Sequence, residues 1–319
     1  MAQIKEMELG EQYDSFFFLR QKLIKETRTG KEYLDLVLED KTAIIPAKIW
    51  EIDSQVFGEI SSGDFVKARV SLETYRDQKQ LKIFKVRKVK EEDYDEGFDE
   101  NSCFRKTPFD IDEMWEEIRD ISAECSPKVS ELLVSILDEF SERFRVWPAA
   151  VRIHHAYVGG LLEHTLSVTK TCLYFVEKYD ISRDLLVCAA ILHDIGKLEE
   201  LSKDSGAEYT EKGQLIGHIV LGRDIVRKFA SEIPDFPEDF LLLLEHLILS
   251  HQGQTEWGTV KVPMTLEALL LHYADDIDAK FNHVSNFILD DESEGLFTRR
   301  NAIMSRAFLK QLKNLEEQN

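Results

Sequence analysis

Hydrophobic and polar positions alternate along the first ninety residues and then change period. The runs DSFFFLRQKLI, EYLDLVLED, TAIIPAKIWE, DFVKARVSLETY and KQLKIFKVRKVK are β-branched or aromatic, and RTGK, SSGD and YRDQ punctuate them. Five short strands, with a short helix only around Ile52–Ile60, predict a small closed barrel over residues 1–90. KEEDYDEGFDEN follows, with seven acids between Glu91 and Glu100, and reads as a solvated acidic linker over residues 91–109. From Asp110 the period is helical. Ile111, Met114, Trp115, Ile118 and Ile121 form one stripe behind an Asp110–Glu113 cap, and Ser126-Pro127 opens a second helix. Helical periods continue to the C-terminus. The expected fold is therefore multidomain, an all-β barrel followed by an all-α bundle over residues 110–319.

Composition narrows the class. At 319 residues, 43% hydrophobic and 31% charged, the chain has room for two cores and resembles an ordinary soluble protein. Its longest apolar stretches, such as FLLLLEHLIL, are broken by charge and too short to span a bilayer, so no membrane partner is expected. The polar start is not that of a signal peptide. Four cysteines without CxxC spacing read as reduced thiols, which points to the cytoplasm. Nothing in the pattern reads out an oligomeric state.

The net charge of −20 argues at first against a polyanionic partner, but it is unevenly spread. Residues 1–90 carry 17 Lys/Arg against 15 Asp/Glu, and the acidity lies beyond them. The strand order, with its helix between the third and fourth strands, resembles an OB-fold, which implies that the barrel holds single-stranded nucleic acid. Tyr33, Trp50 and Tyr75 are candidates for base stacking, and Lys79, Lys82, Lys85 and Lys88 for phosphate contacts. For each residue alone, barrel core or a charged edge is the simpler reading. For the module as a whole, binding is.

All nine histidines lie between His154 and His283, none in the barrel. Several are embedded in apolar segments beside carboxylates, where a polar side chain is costly without a partner. His164 sits in GGLLEHTLSV, His193 and Asp194 in ILHDIGK, His218 in QLIGHIVLG, His251 in LILSHQG and Asp275 in LLHYADDIDAK. Adjacent helical residues point about 100° apart, so His193 and Asp194 meet one ion only near a helix end, which Gly196 supplies. The other ligands must come from neighbouring helices. His164, His193, Asp194 and Asp275 satisfy one divalent ion, and a second bridged by Asp194 takes His218 and His251. Such donors suit Mn²⁺, Fe²⁺, Co²⁺, Ni²⁺ or Zn²⁺ better than Ca²⁺, with Mn²⁺ favoured.

This ordered set resembles the HD-domain superfamily of metal-dependent phosphohydrolases. HHAYVGGLLEHTLSV, ILHDIGKLEEL, GHIVLG, LILSHQG and ADDIDAK, behind an OB-like barrel, are similar to the YhaM-type 3′→5′ exoribonucleases over nearly the whole chain. Where such relatives commonly read SHHG, this chain has Ser250-His251-Gln252-Gly253, which bears on occupancy of the second ion. The resemblance implies hydrolysis of single-stranded RNA to nucleoside 5′-monophosphates, and leaves single-stranded DNA open as a further substrate. Asp194 is the expected catalytic centre, with Lys197 contacting phosphate and His154 and His155 contacting the scissile phosphate or the leaving group. His246, His272 and Asp278 are expected to orient ligands. Two rivals remain: hydrolysis of a small signalling nucleotide, and a nucleic-acid-binding protein with a degenerate HD site.

Overall fold

The computed structural model describes residues 1–27, 29–50, 59–75, 78–150, 155, 157–202, 209–291 and 293–310. Five strands, β1 (Gln12–Glu26), β2 (Glu32–Glu39), β3 (Ile44–Ile49), β4 (Phe65–Tyr75) and β5 (Gln78–Lys88), close into a barrel in the order β1-β2-β3-β5-β4. Only β3 and β5 pair in parallel; the other pairs are antiparallel. β1 is long because it serves two neighbours, β4 through Gln12–Phe18 and β2 through Phe18–Glu26. A register shift between Leu19 and Gln21 accompanies that change of partner, the bend a closed barrel needs. Alternate residues Leu34, Leu36 and Leu38 of β2, with Phe17, Ala47, Val70 and Leu81, fill the interior. The helix expected around Ile52–Ile60 falls largely on residues outside those described.

The acidic segment keeps most of its carboxylates in solvent but also packs on the barrel. A short helix α1 (Glu91–Asp95) lays the buried Asp93 carboxylate against Arg87 (2.5 and 2.7 Å) and Lys67 (3.0 Å), basic residues of β5 and β4. Phe98 and Cys103 then bury the outward rings of Phe16 and Phe18, with Phe65 and Phe104 packed around them. The physical reason lies in Phe16-Phe17-Phe18. Successive strand residues face opposite sides, so three consecutive rings require cover both inside and outside the barrel.

The helical part comprises α2 (Ile111–Ala123), α3 (Pro127–Phe144), α4 (Gly160–Val176), α5 (Arg183–Leu192), α6 (Lys197–Glu200), α7 (Glu211–Leu215), α8 (His218–Glu232), α9 (Glu238–Ser250) and α10 (Leu266–Leu289). The Asp110 carboxylate caps α2 by accepting from Asp112 N and Glu113 N. The apolar α5 is buried along its length between α4 and its neighbours, which explains why RDLLVCAAIL shows no polar face after its first turn. Among the described residues the last helix ends at Leu289. After α10 the described chain forms a short hairpin, with bridges at Phe297–Leu309 and Asn301–Arg306. Arg105 Nη2 and Lys5 Nζ both bind Asp290 at 2.9 Å, tying the barrel's side of the chain to the end of α10. Among the described residues no helix is long and apolar enough to cross a membrane.

Candidate metal centre

His193 and His251 close α5 and α9 in the same way. Each ring uses Nδ1 to donate to the carbonyl three residues back, Ala190 O at 2.9 Å and Ile248 O at 2.7 Å. A helix's last carbonyls lack intrahelical donors, so the imidazole satisfies one of them, and this fixes its proton on Nδ1. His164, on α4, is oriented by the Asp278 carboxylate at 2.7 Å from its Nδ1. His218, at the start of α8, is oriented by Glu200, whose Oε1 lies 3.1 Å from Nδ1 and accepts from the His218 backbone N–H. All four rings therefore turn Nε2 toward one place.

That place is Asp194, in the turn between α5 and α6. Its Oδ2 lies 3.4 Å from both His164 Nε2 and His193 Nε2, and Asp275 Oδ1 completes this group at 3.3 Å from His164 Nε2. Its Oδ1 lies 3.5 Å from His218 Nε2 and 3.7 Å from His251 Nε2. Two ligands each about 2.1 Å from one ion stand about 3.0–3.5 Å apart, the range that most of these separations occupy. Asp194 Oδ1 and His218 Nε2 are moreover buried and without a hydrogen-bond partner, a deficit that a cation between them removes. The donor set fits a divalent metal.

Electrostatics agree. Burial opposes a charge on Asp194, but Lys197 and His193 outweigh it and hold the carboxyl well below the usual range. Burial also opposes a charge on His164, yet hydrogen bonds to Asp194, Asp275 and Asp278 raise its pKa well above that of a free imidazole. The site thus demands positive charge. His251 goes the other way, pushed down to about 4 by burial and by His193, so its ring is neutral and able to ligate near pH 7. Lys197 is buried, stays charged through Asp194, and binds its Oδ2 at 2.5 Å.

Two glycines make the approach possible. A Cβ on Gly196 would stand 2.0 Å from the His218 carbonyl oxygen, so only glycine lets α8 abut the dyad turn. Gly253 has φ +75, and a Cβ there would stand 2.3 Å from the His272 ring. That ring donates from Nδ1 to the His251 carbonyl at 3.0 Å.

The remaining sequence-derived residues fall in several places. His155 is buried with Nε2 at 2.9 Å from Asp278 and Nδ1 at 3.0 Å from Tyr157 Oη, so neither nitrogen is left for a phosphate. Asp278 thus serves His155 and His164 together. His154 lies outside the described residues. His246 accepts from Met264 N at 3.0 Å and is not among the residues grouped around Asp194. Sequence reasoning missed Glu200, Tyr157 and Asn282. Asn282 accepts from His155 N at 3.1 Å and donates to Tyr157 Oη at 3.0 Å. No spacing rule marks Glu200 or Asn282, because their partners His218, His155 and Tyr157 lie on other elements.

The barrel residues separate into groups. Tyr33 and Trp50 stack with ring centroids 4.8 Å apart and an interplanar angle of 27°, and Lys48 Nζ lies 5.4 Å from the Tyr33 centroid. Asp35 binds Lys48 and Lys25. Lys82 pairs in register beside Lys48 and lies over Phe84, on the same outward face of β2, β3 and β5. Tyr75 and Lys79 stand at the β4–β5 turn instead, and Lys88 pairs with Asp64 at 2.8 Å. Lys85 lines a different groove, with Lys67, Arg69 and Arg87.

A five-stranded barrel of this order joined to a helical bundle with a histidine–aspartate centre defines an HD-domain, divalent-metal-binding protein with an OB-like module. The HD domain family matches residues 161–280. The 3′-5′ exoribonuclease YhaM of Geobacillus sp. (strain WCH70) is 34% identical over 306 residues, covering 95% of this chain and 93% of that protein. The chain belongs to the YhaM family. Two solved structures are similar over 28% of the chain. The second OB-fold domain of replication protein A from Methanococcus maripaludis, solved by NMR, has 13% identity, 95% of its own chain covered and a TM-score of 0.24. A replication protein A heterotrimer bound to ssDNA has 21% identity, 66% covered and a TM-score of 0.22.

Proposed function

We propose that this chain is a cytoplasmic, metal-dependent 3′→5′ exonuclease that shortens single-stranded RNA, and single-stranded DNA as a second substrate, to nucleoside 5′-monophosphates. The observation that carries the reading is the convergence of four imidazole Nε2 atoms on the two oxygens of Asp194, with Asp275 beside His164, in a chain that belongs to an exoribonuclease family. His164, His193, Asp275 and Asp194 Oδ2 would hold one ion; Asp194 Oδ1, His218 and His251 would hold a second, with Mn²⁺ favoured. Bound there, the ions supply Lewis acidity to the phosphate and make water a nucleophile near neutral pH.

The residues have separate tasks. Asp278, Glu200 and the carbonyls of Ala190 and Ile248 hold the four rings in the tautomer that presents Nε2. Lys197 spends one N–H on Asp194 and has two more to offer a non-bridging phosphate oxygen. The barrel, residues 1–90, serves as the platform for the strand, with the Tyr33–Trp50 stack and Lys82 as its contact face. The helical part, residues 110–319, carries the hydrolysis. The near-complete donor set argues against a degenerate scaffold, with Gln252 beside His251 as its one departure, and the platform argues against a small signalling nucleotide. Purified protein incubated with 5′-labelled single-stranded RNA and Mn²⁺ should yield a ladder that shortens from the 3′ end. Cleavage of cyclic dinucleotides without shortening of RNA would overturn the reading.

A further inference from the structure

Beside the ligand cluster lies a cavity of about 240 Å³, whose lining includes Asp275, Gln252, Trp257, His272, Lys280 and Met304. Asp275 belongs to both the cavity and the ligand group, so whatever fills the cavity touches the reacting region. The Trp257 indole is exposed, and Lys280 Nζ stands 5.4 Å from its ring centroid while bound to Asp276 at 2.7 Å. Met304 is brought there by the C-terminal hairpin. That hairpin is a fixed wall. Thr298 N donates to Phe308 O and Asn301 N to Arg306 O, both at 2.8 Å. The buried Asn301 amide reaches His283 Nε2 of α10 at 2.9 Å, and Asn301 Oδ1 accepts from Met304 N at 2.8 Å.

We propose that this cavity receives the 3′-terminal nucleoside of the strand, with the base against Trp257 and Met304. The proposal rests on the exonuclease reading. Pockets for drug-sized ligands run to about 300–1,000 Å³, so this one suits a single nucleoside and not a longer stretch of strand. An aromatic wall suits an enzyme that meets each base in turn, because every base offers a π-face. Lys280 adds a cation for the nearby phosphate. The chemistry places the nucleoside on this side of the cut. Water adds its oxygen to the terminal nucleotide's 5′-phosphorus, the bond to the preceding residue's O3′ breaks, and that O3′ takes a proton. The released 5′-monophosphate is the nucleotide that occupied the cavity.

The test compares two substrates, because bis-p-nitrophenyl phosphate carries no base. Trp257→Ala should lower the ratio of kcat/KM on a single-stranded oligoribonucleotide to kcat/KM on the reporter by roughly tenfold, the scale of one lost base stack. Trp257→Phe should restore most of it. Met304→Trp, which fills the cavity from the hairpin, should lower the same ratio. Wild-type ratios in both Trp257→Ala and Met304→Trp, with normal 3′ shortening by the wild type, overturn the pocket alone. A wild-type protein that hydrolyses the reporter but never shortens RNA overturns the exonuclease reading, and this proposal with it.

Discussion

Asp194 Oδ1 and His218 Nε2 face one another at 3.5 Å, both buried and neither with a hydrogen-bond partner. Two acceptors in that position repel unless a cation joins them. Asp194→Asn should therefore lose both ions and abolish hydrolysis, whereas His251→Ala should keep one ion. Elemental analysis of purified variants reads this directly, with circular dichroism to establish folding. Unchanged metal content in Asp194→Asn would remove it as the bridge. Asparagine is preferred to alanine because it keeps an oxygen that can accept from buried Lys197 Nζ, although either change removes the opposing charge, at a cost on the order of 3–5 kcal/mol.

Asp278 accepts from His164 Nδ1 at 2.7 Å and from His155 Nε2 at 2.9 Å. Asp278→Asn removes the charge that fixes both rings without emptying the space. Metal affinity should fall by about 10–100-fold, the usual cost of losing such an orienting partner. Titration with Mn²⁺ after chelation measures it; an unaltered affinity would mean that His164 is oriented without Asp278.

The chelated protein should be most stable near neutral pH. His251 titrates at about 4 when folded, against about 6.5 for an unfolded imidazole. Its contribution is complete above about pH 6.5 and is lost as pH falls toward 4, because the unfolded chain then binds the extra proton. His164 has the opposite sign. Its raised pKa stabilises the fold below about pH 6.5, and that contribution is lost as pH rises through the folded value. Melting temperature with chelator should thus fall on both sides, and bound metal should abolish the alkaline limb by replacing the proton on Nε2. A chelated protein whose melting temperature rises steadily from pH 6.5 to alkaline pH would contradict the His164 assignment.

Removing the barrel should separate tracking from hydrolysis, provided the cut respects the packing. Cutting after residue 90 would expose Phe98 and Cys103, which lie buried against Phe16 and Phe18. A fragment beginning at residue 105 avoids this. It should hydrolyse bis-p-nitrophenyl phosphate and act weakly on long single strands, since residues 1–90 are the part of the chain that is not strongly acidic. Full activity of the fragment on long RNA would show that the barrel is not the strand platform.

Much of this protein is legible in local pattern. Period-two alternation and turn residues mark a barrel before Lys90, and the helical period after Asp110 marks the bundle, because hydrogen bonding and burial impose those periods over a few residues. The place of His193 and Asp194 at a helix end is legible too, in Gly196. Charge density misleads at Asp93 alone among the acids of Glu91–Glu100, because composition cannot reveal that it will meet Arg87 and Lys67 of the barrel.

The sequence by itself determined which residue types would stand on successive helices, and that several polar side chains would be buried and in need of partners. Only the tertiary structure decided their pairing. It gave Asp278 to both His155 and His164, Glu200 to His218, and Lys197 to Asp194, and it scattered the seven barrel candidates over more than one face. The reason is one of range. A strand or helix period is set by neighbours within a turn or two, whereas a shared hydrogen bond between residues 114 positions apart, as between His164 and Asp278, depends on how whole helices cross.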